Sequence, residues 1–240
     1  MKKTLTIAAI AATMGTLSAS AQELIAGWDT WGNAPRDANY TLTDVTASLT
    51  GSDFSTEGGT NAGRGASNDG TWGSFVDTVN TVSTSTTSSA DSRFRPNGTN
   101  GFMEFTITNN SGSDISFDKF HVDLLAWRPN SSTGFNLTVV SGGLTTGLAA
   151  SGSLTHIGGV ALTQDQHEEF DLDLTGLADN TLANTESVVF RFETTGGTGS
   201  GSGHHTFVDN IAFTAVPEPS TYALLGGLFA LSFVAMRRRK

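Results

Sequence analysis

Residues 102–108 alternate without interruption, with Met103, Phe105 and Ile107 on one side of the chain and Glu104, Thr106 and Thr108 on the other. A period of two suits a pleated strand, because a helix does not return side chains to one face at that spacing. An apolar row backed by a polar row also requires an antiparallel sheet with one side buried and one side wet. The signature recurs in residues 116–127, where Phe120, Val122, Leu124 and Ala126 share a row. Residues 135–140, 169–174, 187–193 and 206–214 repeat it, and 23–28 and 39–48 read as earlier strands.

No stretch between the two ends carries apolar residues at helical spacing. Glycine supplies 28 of 240 residues, well above the roughly 7% of an average chain. Eight or so short strands with Gly-rich connections predict an all-β fold, a jelly-roll-like antiparallel β-sandwich. Residues 51–73 and 79–91 are weakly patterned, and the Ser/Thr tract of the second, with no apolar row, reads as a solvated loop or an irregular edge. The Gly-rich run 196–203 reads as a flexible connection to the last strand. Ile107, Val122, Leu124, Phe190, Phe192 and Phe213 are the expected core.

The two ends follow other rules. Lys2 and Lys3 precede a mostly apolar run, and Ala19-Ser20-Ala21 offers small residues at a cleavage site before Gln22. Residues 1–21 therefore read as a secretory signal peptide and stand outside the fold. At the other end, residues 222–236 are apolar apart from Ser232 and the Gly226-Gly227 pair. Fifteen residues are short of the roughly 20 that a bilayer span needs, although Val216 and the cation stems lengthen the reach. Arg237, Arg238, Arg239 and Lys240 follow at once, a block that stays on the cytoplasmic side. The expected topology is one transmembrane helix in the inner membrane, with the domain outside. The domains are then 1–21, 22–215 and 216–240.

Pro217 and Pro219 hold the backbone extended just before that helix, with Glu218 between them. The series Val216, Pro217, Glu218, Pro219, Ser220, Thr221, followed by the apolar run and the Arg cluster, resembles the PEP-CTERM sorting signal of Gram-negative bacteria. The resemblance implies processing by an exosortase, a membrane transpeptidase-like protease associated with exopolysaccharide production. It implies a protein of the cell surface or extracellular matrix, and it leaves the fold and activity of residues 22–215 open.

Between the ends the chain carries 22 acidic against 7 basic side chains, a net charge of −15. Such a surface repels phosphate backbones, so no nucleic-acid partner is expected. Cysteine is absent, which removes thiol nucleophiles and thiolate metal sites. No Gly-x-Ser-x-Gly elbow is present. His167-Glu168-Glu169 has no second histidine at zinc-protease spacing, and the adjacent pair His204 and His205 suits opposite faces of a strand rather than one ion. Asp171 and Asp173 share a strand face, but nothing in the spacing separates a glycosidase pair from surface acids. No catalytic residue is assigned, and the expectation is a protein without enzymatic activity.

The ending Phe207-Val208-Asp209-Asn210-Ile211-Ala212-Phe213 resembles the last strand of carbohydrate-binding-module and laminin-G-like jelly rolls. That resemblance implies glycan contact through exposed aromatics, for which Trp31, Trp72 and Trp127 are candidates. Parity places Trp127 on the outer face; the alternative for all three is a plug at the end of the sandwich. Parity also sets Asp209 in the apolar row of Phe207, Ile211 and Phe213, where an unpaired carboxylate is very costly. A bulge turns it out, backbone N–H groups satisfy it, or it helps hold a structural calcium with Asp29, as the resemblance implies.

Overall fold

The computed structural model describes residues 22–29, 36–52, 54–56, 67, 69–80, 82, 92–94, 102–126, 130–155, 166–197 and 206–216. Within them the chain is all-β. The strands are β1 (Glu23–Trp28), β2 (Arg36–Asp37), β3 (Tyr40–Thr41), β4 (Val45–Ser52), β5 (Phe54–Thr56), β6 (Ser92–Phe94) and β7 (Phe102–Asn109). They continue with β8 (Ile115–Ala126), β9 (Gly134–Gly142), β10 (Gly147–Ser153), β11 (Glu168–Asp173), β12 (Thr181–Leu182), β13 (Ser187–Thr195) and β14 (Thr206–Ala215). Residues Glu23–Ala215 form one compact unit. The expected signal peptide and transmembrane helix lie outside the described residues.

Two antiparallel sheets form a sandwich. The first runs β11-β8-β14-β1-β3, with β12 on β8 and β6 on β14; the second runs β10-β9-β13-β7-β4-β2. Residue parity explains the packing. Met103, Phe105 and Ile107 of β7 face Val188, Phe190 and Phe192 of β13 across the ladder and point into the core. Phe120, Val122 and Leu124 of β8 close it from the other sheet, and all six expected core residues are buried.

Phe213 sits at the centre of this core. Its ring lies 4.7 Å from Phe190, 4.9 Å from Phe120, 5.6 Å from Phe105, 6.0 Å from Phe117 and 6.5 Å from Trp28, centroid to centroid. Both sheets contribute to that cluster, mostly in the tilted and edge-on geometries that aromatic quadrupoles favour.

The structure departs from the sequence reading in three places. Asp44, with φ of 58°, turns the chain inside the stretch expected as one strand over 39–48, which splits into β3 and β4. β10 forms from Gly, Ala and Ser around a single exposed Leu148, with no apolar alternation, because β9 supplies its ladder. Third, residues 69–80, with Ser67 and Val82, pack against the first sheet.

Candidate functional site: the clasped face of the first sheet

Residues 67, 69–80 and 82 lie over the outer face of the first sheet. Trp72 and Phe75 exchange backbone hydrogen bonds of 2.9 and 2.8 Å, closing a two-residue turn. Gly73 holds φ of +49° there, with the position of a Cβ only 2.8 Å from the Phe170 carbonyl oxygen. The turn projects Trp72 onto Gly27 of β1, where a Cβ would stand 2.7 Å from the indole, and edge-on to Tyr40 at 5.7 Å. Phe75 stacks on His121 at 5.2 Å. Val82 packs in the same cluster with Leu24 and Ala212. This clasp corrects the reading of 79–91 as a solvated loop at Val82, which is buried, and Ser67 and Trp72 in the weakly patterned stretch 51–73 are buried with it.

It also withdraws Trp72 as a glycan platform: the side chain is fully buried, packed against Gly27 and Tyr40. Trp31 and Trp127, and the strand parity that set Trp127 outward, lie outside the described residues.

Beneath the clasp, register places polar residues in rows across three neighbouring strands. Glu169 of β11 is opposite Asp123 of β8, and Asp123 is opposite Asp209 of β14. One rung along, Asp171 is opposite His121, and His121 opposite Ala212.

Asp209 reaches this face by way of a bulge. The β14–β8 register shifts between Asp209 and Ala212, and Asn210 has φ of +45°. The extra residue puts Val208, Ile211 and Phe213 in the core and sends Asp209 to the opposite face, so the simple parity of the last strand is corrected. That face is itself covered, and Asp209 stays buried at 1% exposure. Its Oδ2 accepts the Ser67 N–H at 2.9 Å and its Oδ1 the Asn210 N–H at 2.9 Å. Bulge and backbone hydrogen bonds thus act together. Asp29 is buried as well, and its Oδ2 accepts from the Tyr40 hydroxyl at 3.3 Å while its N–H donates to Asn39 at 2.9 Å. Burial, then the Asp29 charge and hydrogen bond, raise the Tyr40 hydroxyl above its usual range.

His121 is locked between two strands. Its Nδ1 lies 2.6 Å from Asp171 Oδ1 and its Nε2 3.0 Å from Thr214 Oγ1. With Nδ1 carrying a proton His121 donates to the Asp171 carboxylate, and Nε2 shares the second hydrogen bond with the Thr214 hydroxyl. Burial alone would raise Asp171, but hydrogen bonds from His121 and Ser74 and the attraction of His121 outweigh it and hold the carboxyl at about 2. A hydroxyl, an imidazole and a carboxylate in line have the order of a nucleophilic relay. Thr214 and His121 are buried, however, and Phe75 covers the ring, so the hydroxyl meets no substrate. Asp173 stands apart, held low by Thr175 hydrogen bonds; it does not pair with Asp171.

Asp123 is the most exceptional group. It has no exposure, its Oδ2 accepts from the Asn210 amide at 2.9 Å, and its Oδ1 has no hydrogen-bond partner. Burial and then the Asp69 charge push it well above the usual carboxylate range, with Glu169 adding to this and Asn210 and Ser67 opposing it. Glu169 is raised by burial, by its hydrogen bond with Asp69 and by the charges of Asp69 and Asp171. Burial also acts to raise Asp69, but hydrogen bonds from Thr71, Glu169 and Ser67 bring it low. Among the described residues no three His, Asp or Glu side chains stand in metal-binding geometry.

On the second sheet, Asp37, Thr46, Ala47, Ser48, Thr106 and Thr108 line an open groove of about 200 Å³. Near it, the Arg191 guanidinium bonds Glu104 at 2.6 and 3.0 Å and lies 4.2 Å from the Phe102 ring.

β14 ends at Ala215, and Val216 is exposed. A family model described as the PEP-CTERM protein-sorting motif matches residues 215–240. The chain carries a PEP-CTERM tail. That motif marks a protein exported, held in the membrane and processed by an exosortase. No curated protein matches the chain. Among solved structures, the K2 cleaved adhesin domain of Lys-gingipain is similar at 14% identity and a TM-score of 0.30, over 52% of this chain and 72% of that one. A likeness that distant bears no functional weight. Within the PEP-CTERM tail, residues 217–240, including Pro217, Glu218, Pro219 and Arg237–Lys240, lie outside the described residues.

Proposed function

We propose that this chain is a non-enzymatic β-sandwich, jelly-roll-like in plan, delivered to the cell surface or extracellular matrix in association with exopolysaccharide. The PEP-CTERM motif over residues 215–240 carries the reading. Pro217-Glu218-Pro219 presents a rigid, extended peptide with one carboxylate to the processing enzyme, and the apolar segment with Arg237–Lys240 holds it at the membrane until cleavage. In this reading the buried Thr214–His121–Asp171 series has a structural role, joining β8, β11 and β14.

Expression in an exosortase-containing host and in its exosortase-deleted counterpart tests the proposal. Intact mass of the released protein should lack Met1–Ala21 and most of 220–240, and the deleted host should retain the uncut form in its inner membrane. Released protein that still carries Arg237–Lys240 overturns the processing step.

The groove on the second sheet favours a second reading, a glycan-binding module. Hydroxyls of Thr46, Ser48, Thr106 and Thr108 beside the Asp37 carboxylate match the donors and acceptors of a sugar. Retardation in a polysaccharide gel that disappears in Thr106→Val supports it; migration unchanged across a polysaccharide panel removes it.

A further inference from the structure

We propose that the open edge of β10 is a docking site for a second copy of this chain, the two edges pairing antiparallel about a two-fold axis.

The main strand paths of the two sheets end in β11 and β3, and in β10 and β2. An outermost strand offers a row of backbone N–H and C=O groups to any passing strand, so edges are normally kept short or charged. β2, β3 and β12 have two residues each and β5 has three. Both residues of β2, Arg36 and Asp37, are charged as well. β11 is longer, but Glu168, Glu169, Asp171 and Asp173 make four of its six residues acidic. β10 has neither defence: its seven residues, Gly-Leu-Ala-Ala-Ser-Gly-Ser, include no charge and no proline. A bulge at Ala149 bends one end, while Ala150–Ser153 runs in regular register against Leu137–Gly134. Among the described residues no strand pairs with its other side. Leu148 is 62% exposed there, and Val140, two residues along β9 from the Leu148 partner Thr138, is exposed too.

Charge names the occupant. Between its ends the chain has a net charge of −15, so a second copy is repelled wherever those acids lie. Residues 129–164 contain no Asp, Glu, Lys or Arg, in a chain that is 15% charged. β9 and β10 both fall inside that stretch. The long open edge therefore coincides with the region where two acidic copies approach at least cost. A two-fold axis also sets the strand against itself, which a charged strand resists because like charges then stand opposite. A basic protein or a polyanion, by contrast, finds no charge on β10 to select. Self-pairing extends the six-stranded second sheet across both copies and shields Leu148. It consumes the open edge of each copy, so the assembly closes at two instead of growing. Seven residues a side lie at the low end of specific interfaces, which makes the dimer a weak one.

Sedimentation velocity of the full chain in detergent tests the pairing. A monomer–dimer equilibrium with a dissociation constant of about 10⁻⁴ to 10⁻⁵ M is expected. It should tighten about threefold or more between about 0.02 and 0.3 M salt, as screening relieves the repulsion between acidic copies. Ser151 is exposed, so changing it spares the core. Ser151→Asp should weaken the dimer at least tenfold, and the neutral Ser151→Asn should leave it within about threefold. The chain has no cysteine, so single cysteines at Leu148, Ala150, Ser151 and Ser153 report the register. Antiparallel pairing permits a disulfide at the position nearest the axis, and the yield should fall on either side, since each residue off the axis adds about 7 Å. A chain that stays monomeric at about 10⁻³ M overturns the proposal. So does a dimer untouched by Ser151→Asp, which would place the contact in the tail or on another face. Cross-linking at all four positions would mean parallel strands, and association only on adding polysaccharide would give the edge to a glycan; either result overturns it as well. Should Ser151→Asp fail to fold, the cysteine scan decides alone, and no cross-link at any of the four positions overturns the pairing.

Discussion

Asp209 shows how much one side chain decides. Removing it in Asp209→Ala strands the Ser67 and Asn210 N–H groups inside the protein. Each unmatched group costs about 1–3 kcal/mol, so urea melts should show a loss of at least that size. Asp171 makes a pH prediction. Its folded-state value is depressed from 3.8 to about 2, so its contribution is fully present above 3.8 and is lost as pH falls toward 2. Stability measured down this acid limb should fall less steeply in Asp171→Asn. At this scale the sequence was a partial guide. The misfit of Asp209 was visible as a carboxylate in an apolar row, but the bulge that resolves it depends on positive φ at Asn210, which no periodicity reports. Asp123 gave no such signal. It lies in the polar row of β8, and only the covering clasp makes it buried.

β7 and β13, which alternate strictly, and the Phe120–Val122–Leu124 row of β8 were legible because each has one apolar face to hide. The clasp was not. Trp72, Phe75 and Val82 are spaced irregularly, and what seats them is distant in sequence: Gly27 on β1, His121 on β8 and Asp171 on β11. β10 escaped for the opposite reason, since its partner supplies the order that its own Gly and Ser residues lack. The clasp is testable as a unit. A methyl group at Gly27 would meet the Trp72 ring, and overpacking of that kind typically costs about 1–3 kcal/mol. Gly27→Ala should therefore red-shift part of the tryptophan emission and speed exchange of the Trp72 and Phe75 amides. Unchanged emission and exchange would mean the indole does not rest on β1.

Across the whole molecule, stability converges on the interface between the two sheets. Phe213 touches five aromatic rings drawn from both, and Phe213→Ala should cost about 3–5 kcal/mol in chemical denaturation. Val189 sits on the outward side of β13 next to the buried Val188 and Phe190; Val189→Ala should stay within about 0.5 kcal/mol. The polar groove of the second sheet could not be foreseen, because Asp37 and Thr108 meet there only through strand order. One further consequence follows from β14. The strand that leads into the sorting tail is not at an edge: β8 pairs along one side of it, and β1 and β6 share the other. Tension applied to the tail is therefore transmitted to the best-secured strand of the sandwich, whose ladders must shear on both flanks before the body extends. Pulled by that end in a force-clamp instrument, the domain should rupture in one high-force event; gradual peeling at low force would show that the load enters elsewhere.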